Sequence, residues 1–240
     1  MKVEIWSDFA CPFCYIGKRR FEAALEQFPH KEAIEVVYRS FELDPYAARD
    51  VDYDVHDMVS SKYGMTRQQA LEMNQNIALQ AKAVGLDFQF DTTILTNTFD
   101  AHRLAQYAAT KGKAREMTEL LLKGYFTDSK HLSDHETLTA LAAEAGLDPN
   151  EAAGILNTEE YAENVRADEA QAAELGIRGV PFFVVDRKYA ISGAQPVEAF
   201  LETLQKAWDE HQPLTILHAS NNDSIDAACI DGVCTPPAKK

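Results

Sequence analysis

A strand, a Cys-x-x-Cys pair and a proline-led helix follow one another without a break at the start of the chain. Residues 2–7, KVEIWS, are rich in β-formers and predict a strand. From Pro12 an apolar helical period begins, with Cys14, Gly17, Phe21, Ala24, Leu25 and Phe28 on one face, and Pro29 ends it. Residues 34–43, IEVVYRSFEL, predict a second strand. A strand–helix–strand unit this short predicts two parallel strands joined by a right-handed crossover.

After Asp44-Pro45 the pattern changes, and residues 52–157 carry only helical signals. Residues 65–85 predict a helix ending at Gly85. Residues 97–112 predict another, with Asn97 as its cap and Gly112 at its end. Residues 113–128 and 134–146 follow in the same period. A block this long is not a loop. The earlier grammar then returns with a helix ending at Gly176, a loop GIRGVP, and strands at 182–186 and 189–192 joined as a hairpin. A last helix spans 196–211, with Pro196 in its first turn. The order predicts an α/β fold with one mixed central sheet flanked by helices and a large all-helical insertion. The expected division is a first domain made of 1–50 and 158–212, a helical domain of 51–157, and a polar tail of 213–240.

Four cysteines occur: Cys11 and Cys14 near one end, Cys229 and Cys234 near the other. A zinc ribbon brings two close couples within about 15–20 residues of each other. Here nearly the whole chain lies between the couples, so the spacing carries no zinc signal. Residues 1–9 have no long apolar stretch and no small-residue cleavage site, so a secretory signal is not expected, and the chain reads as cytoplasmic. In a reducing compartment, close cysteines point to redox work or metal rather than to static disulfides. The net charge of −15 excludes phosphate backbones and anionic membranes as expected partners.

Pro12 at the first helical position makes Cys11 the N-cap. There its sulfur is expected to accept the free N–H groups of Phe13 and Cys14 and to sit at the positive end of the helix dipole, which favours the thiolate. Cys14, further into the helix, is expected to face the core yet reach Cys11. The implied chemistry is attack by Cys11 on a disulfide, followed by resolution through Cys14. Pro181 opens a strand, in Gly179-Val180-Pro181-Phe182. As an edge marker it would be ordinary. As a cis-proline opposite the CxxC helix it would offer the Val180 backbone to an extended substrate.

Taken together, CPFC, the helical insert and GIRGVPFFVVDRKYAISGAQ resemble the DsbA-like branch of the thioredoxin superfamily, most closely its cytosolic FrnE-type members. The resemblance covers residues 1–210 and implies a thioredoxin-like fold. It implies Cys11 as nucleophile, Cys14 as resolving cysteine, Val180-Pro181 as the cis-proline loop, and the insert as a cap whose groove faces Cys11. DsbA has histidine within its active-site dipeptide, where this chain has Pro12-Phe13, so the resemblance does not extend to a strongly oxidising potential. ACIDGVC, 228–234, resembles the CxxxxC of some FrnE-type tails. Cys229 and Cys234 are then either an accessory redox pair or an inert local disulfide across the Asp231-Gly232 turn.

His102 is a candidate groove residue that would bias the Cys11 proton; the alternative is a partly buried helix residue. Phe88, Phe90 and Phe99 fit either an apolar groove or the core. The expected partners are thiol or disulfide substrate proteins, with glutathione as a candidate redox partner, and the expected assembly is a monomer or a homodimer. No bound cofactor or metal is required. A second functional class has the same fold: glutathione-dependent isomerases or transferases of the 2-hydroxychromene-2-carboxylate isomerase and kappa transferase type. These usually carry serine at the position of Cys11. A non-catalytic binding protein on this fold is the third.

Overall fold

The computed structural model describes residues 1–210, together with the backbone of 229–230 and 233–234. Residues Met1–Glu210 form one compact unit and residues 211–240 a second. In the first, strands β1 (Lys2–Ser7) and β2 (Glu35–Ser40) flank helix α1 (Pro12–Gln27) in the chain. Helices α2 (Val55–Tyr63), α3 (Arg67–Lys82), α4 (Phe99–Thr110), α5 (Ala114–Phe126), α6 (His135–Glu144), α7 (Pro149–Leu156) and α8 (Ala162–Glu174) follow. Strands β3 (Phe182–Val185) and β4 (Tyr189–Ser192) and helix α9 (Val197–Glu210) close the unit.

The sheet order is β2-β1-β3-β4. β1 and β2 are parallel, with Ile5 opposite Tyr38, while β3 runs antiparallel to both β1 and β4. The mixed sheet follows from the chain order: a helical crossover allows a parallel pair, and the short β3–β4 connection allows only an antiparallel one. Alternation along β1 divides its side chains between two faces. Val3 and Ile5 pack with Phe183, Phe21 of α1 and Phe200 of α9. Trp6 packs on the other side with Val184 and Ala172 of α8. α8 is fixed there by polar contacts as well: Trp6 Nε1 donates to the Asp168 carbonyl at 2.9 Å, and the Asp168 carboxylate accepts the Ser40 N–H at 2.9 Å.

The helical stretch has its own apolar core, which Tyr15 and Ile16 of α1 join. Four of its helices start on side-chain caps that meet otherwise free N–H groups. Asp54 caps α2, Thr66 and Gln69 form a capping box on α3, Asp134 caps α6 and Asp148 caps α7. Asn97, expected as the cap of α4, lies one residue too early. The cap position belongs to Thr98, and the Asn97 side chain accepts the Phe99 N–H at 2.8 Å. Thr98 leaves its hydroxyl for another partner, described below. Phe88 and Phe90 are core residues, with Phe88 stacked 4.7 Å from Phe126. Phe99 is half-buried and lies 4.4 Å beneath the Arg166 guanidinium.

In the second unit, β5 (Cys229–Ile230) and β6 (Val233–Cys234) pair antiparallel, with Cys229 directly opposite Cys234. The side chains of that pair lie outside the described residues.

Candidate active site

β1 delivers the chain to the site, and Pro12 starts α1 there. Cys11 is the N-cap, with φ −96° and ψ 111°. Its N–H donates to the Asp8 carbonyl at 3.2 Å, and its own carbonyl accepts the Cys14 N–H at 3.0 Å. The expected sulfur cap is absent: no side-chain bond from Cys11 reaches the helix N–H groups. The sulfur turns outward from the helix, and Cys11 Sγ lies 3.5 Å from the Val180 carbonyl oxygen, to which its S–H donates. A tight turn already occupies the Cys14 N–H with a backbone acceptor, so the sulfur takes its partner from the opposite loop.

Both cysteines carry free thiols, and both are buried, Cys11 at 4% exposure and Cys14 at 2%. Burial pushes the Cys14 thiol well above its ordinary value, and the neighbouring Cys11 adds to this. The Ser7 hydroxyl and the Asp8 N–H, 3.4 Å from Cys14 Sγ, offset part of the effect. Cys14 is therefore held as a protonated thiol near neutral pH. Phe13 is half-buried and packs on the helical core, so the dipeptide between the cysteines serves packing and supplies no polar group to either sulfur.

The Val180–Pro181 peptide bond is cis. This loop rests on α1 at Gly17, where an added Cβ would meet Pro181 Cγ at 3.0 Å and Ala194 at 3.5 Å. The Pro181 carbonyl accepts the Gly193 N–H at 2.8 Å, and Arg20 of α1 donates to the Ala194 carbonyl. Glycine at 17 is what allows the loop to approach the cysteine helix. Gly17→Ala is expected to destabilise the fold by about 1–3 kcal/mol through overpacking, and urea unfolding checks it.

His102 does not line a groove beside Cys11. It is 2% exposed, tilted against Phe9 at 4.6 Å between ring centroids, with Nε2 3.4 Å from Asp8 Oδ1. The α4 face that carries it is turned inward, so it acts below the site. What it meets there is Asp8, a residue the sequence pattern did not single out. Asp8 is 2% exposed. Its Oδ1 accepts the Thr98 hydroxyl at 2.8 Å and the Ala10 N–H at 3.3 Å, and its Oδ2 accepts the Leu43 N–H at 2.8 Å. Burial alone would raise the carboxyl, but the His102 ring, the Leu43 N–H and the Thr98 hydroxyl outweigh it and hold Asp8 below the usual aspartate value. Asp8 thus ties the β1–α1 turn, the loop after β2 and the start of α4 into one point beneath Cys14. An aspartate directly after an apolar strand and before CxxC was the available signal.

A paired-thiol helix N-terminus facing a cis-proline loop, on a mixed sheet carrying a helical insertion, defines a thioredoxin-fold protein of the DsbA type. The family model of the DSBA-like thioredoxin domain matches residues 2–205, and the chain belongs to that family. The crystal structure of a probable DsbA oxidoreductase from Streptomyces coelicolor is 45% identical and covers 99% of this chain and 100% of its own, with a TM-score of 0.87. A 2-hydroxychromene-2-carboxylate isomerase shares the fold at 16% identity and a TM-score of 0.64, covering 88% of this chain and 95% of its own. The cytosolic disulfide reductase DsbM from Pseudomonas aeruginosa does so at 18% identity and a TM-score of 0.59, covering 86% and 99%. DsbM has also been solved with glutathione.

Proposed function

We propose that this protein is a thiol–disulfide oxidoreductase that works through Cys11 and Cys14 in the cytoplasm. The observation that carries the reading is the pair of free thiols at the start of α1, the first of them against the Val180 carbonyl. In the reducing direction the Cys11 thiolate attacks a substrate disulfide. One S–S bond forms to Cys11, the substrate S–S bond breaks, and one substrate sulfur leaves as thiolate. Cys14 then loses its proton and attacks the Cys11 sulfur. The Cys11–Cys14 bond forms and the second substrate sulfur leaves, taking up a proton. Two electrons pass from the protein to the substrate, and the reverse sequence oxidises a dithiol. Val180 and Pro181 present backbone to an extended substrate, and residues 51–157 act as the cap over it. Substrate proteins and glutathione are the candidate partners in this reading, the latter because a protein of the same fold, DsbM, was solved with it.

The test is reduction of a small disulfide such as 2-hydroxyethyl disulfide by the reduced protein, with the oxidised product mapped by mass spectrometry. A Cys11–Cys14 disulfide formed in step with substrate loss is the expected result; no reaction would sink the reading. The isomerase reading has the shared fold in its favour. It predicts glutathione-dependent isomerisation of an aromatic substrate by the Cys14→Ser protein, with no disulfide activity in the native chain.

The tail pair enters as an accessory. The backbone sets Cys229 opposite Cys234, a register that suits a disulfide. We assign it a relay role, passing electrons to or from Cys11–Cys14. Replacing both Cys229 and Cys234 with serine is then expected to lower steady-state turnover several-fold while leaving the first pair's single-turnover rate unchanged. Turnover equal to the native protein's would rule the relay out.

A further inference from the structure

The Cys14 thiol is buried, so the proton it gives up on attacking Cys11 needs a way out. The Asp8 carboxylate does not provide it. Asp8 meets Cys14 Sγ through its backbone N–H, which is a donor. Its carboxylate oxygens are taken up by Thr98, Ala10, His102 and Leu43. Held below the usual aspartate value, Asp8 is also a weak base.

The Ser7 hydroxyl is the other oxygen-bearing side chain at Cys14 Sγ. Ser7 ends β1 and is itself buried. Beside it lies a cavity of about 20 Å³. Ser7, Arg39, Ser40, His102, Gln106 and Thr118 supply its polar lining. Ser40 is paired with Ser7 in the β1–β2 register, so the two side chains share one face of the sheet. The Ser40 hydroxyl oxygen accepts Gln106 Nε2 at 2.9 Å and keeps its own proton to donate. Ser7, Ser40, His102 and Thr118 are buried, whereas Arg39 and Gln106 are half-buried and open the lining toward solvent. A water needs roughly 10–15 Å³ and two to four polar partners. This cavity meets both conditions.

Building on the oxidoreductase reading, we propose that Ser7 and one water held in this cavity carry the Cys14 proton away during resolution. Cys14 Sγ attacks the Cys11 sulfur of the mixed disulfide. The Cys14–Cys11 bond forms, the bond from Cys11 to the substrate sulfur breaks, and that sulfur leaves as thiolate. The Cys14 proton passes to Ser7 Oγ as the Ser7 hydroxyl proton passes to the water. The water hands one proton on to solvent, and the substrate thiolate takes one up from solvent. No carboxylate is protonated on the way. The titratable and charged groups that face Cys14 and the cavity are Cys11 on α1, Asp8 on the turn, His102 on α4, and Tyr38 and Arg39 on β2. Ser7 is uncharged, so removing it leaves that set of charges as it is.

The experiment mixes the reduced full-length protein with excess 5,5′-dithiobis(2-nitrobenzoate) in a stopped-flow instrument. Cys229 and Cys234 are both replaced by serine, so that only Cys11 and Cys14 report. Cys11 releases the first coloured thionitrobenzoate in a phase that quickens with reagent. Cys14 then displaces the second in a phase that does not. Both phases are followed from about pH 6 to about pH 10, across the free-cysteine value. Ser7→Ala is expected to leave the first phase unchanged and to slow the second about tenfold or more near neutral pH. The deficit is expected to close as pH rises, and Ser7→Thr, which restores a hydroxyl, to recover the native profile. Ala105→Val, which fills the cavity with Ser7 in place, is expected to slow the second phase too. A second phase at native speed in Ser7→Ala, or one slowed equally at every pH and not recovered by Ser7→Thr, overturns the proposal. Native speed in Ala105→Val overturns the water step. A first phase no faster than that of Cys11→Ser overturns the oxidoreductase reading, and the proton route with it.

Discussion

Cys11→Ser is expected to lower disulfide exchange on the order of 10³-fold or more, the loss that follows removal of a covalent nucleophile. Cys14→Ser is expected to behave differently. It retains the attack on substrate and accumulates a mixed disulfide at Cys11, because the resolving sulfur is gone. Non-reducing electrophoresis and intact-mass measurement separate the two outcomes. The asymmetry follows from the geometry: Cys11 Sγ faces the Val180 carbonyl across the site, whereas Cys14 Sγ is turned to the Asp8 N–H beneath it. The resolving step also carries a pH signature. Burial raises the Cys14 thiol, so its thiolate fraction keeps growing beyond the free-cysteine value of about 8.5. Resolution of a preformed mixed disulfide is therefore expected to accelerate with pH through that value and above it. The same shift acts on stability. A group raised in the folded state contributes fully below the unfolded value, and the contribution is lost as pH rises past it. The reduced native protein is thus expected to lose stability above about pH 8.5 relative to Cys14→Ser. A resolution rate that levels off below that pH, or a trapped species on Cys14 rather than Cys11, would contradict the assignment.

Asp8→Asn is expected to cost on the order of 3 kcal/mol of stability near neutral pH, because it turns a buried acceptor of four hydrogen bonds into a group with one acceptor and an unmatched donor. The bonds at stake join Ala10, Leu43, Thr98 and His102. Exchange is expected to slow as well, since the Asp8 backbone also contacts Cys14 Sγ. The pH dependence has a defined sign. Asp8 is held below the ordinary aspartate value. Its contribution is present above the unfolded value of about 3.9 and is lost as pH falls through the lower, folded one. The stability gap between the native chain and Asp8→Asn is therefore expected to narrow below about pH 4. Urea unfolding of both proteins across the acid range reads it. A gap that stays constant throughout the acid range, below pH 4 included, would mean the carboxylate charge contributes nothing.

How much of this was legible in the chain varies with the range of the interaction. β1, α1 and the placement of Cys11 at an N-cap follow from neighbours in sequence, since Pro12 belongs at a helix start and alternation marks the strand. The mixed sheet follows from connection lengths. The position of Asp8 before CxxC was visible, but its partners were not, because Leu43, Thr98 and His102 lie 35, 90 and 94 residues away along the chain. The same distance left His102 open between a groove residue and a buried helix residue, and only packing shows that it turns toward Asp8. Asn97 and Thr98 are both good caps, and one residue of register decided between them.

The sequence alone determined the chemistry available here: two cysteines a turn apart at the head of a helix, and a proline opening a later strand. Those are local rules, written in dihedral preference and hydrophobic period. Only the tertiary structure decided where each sulfur points. Cys11 is set by a carbonyl 169 residues away and Cys14 by a backbone N–H on the turn that Asp8 anchors. A sulfur's direction depends on which partners packing brings within reach, and that information resides in no short stretch of chain.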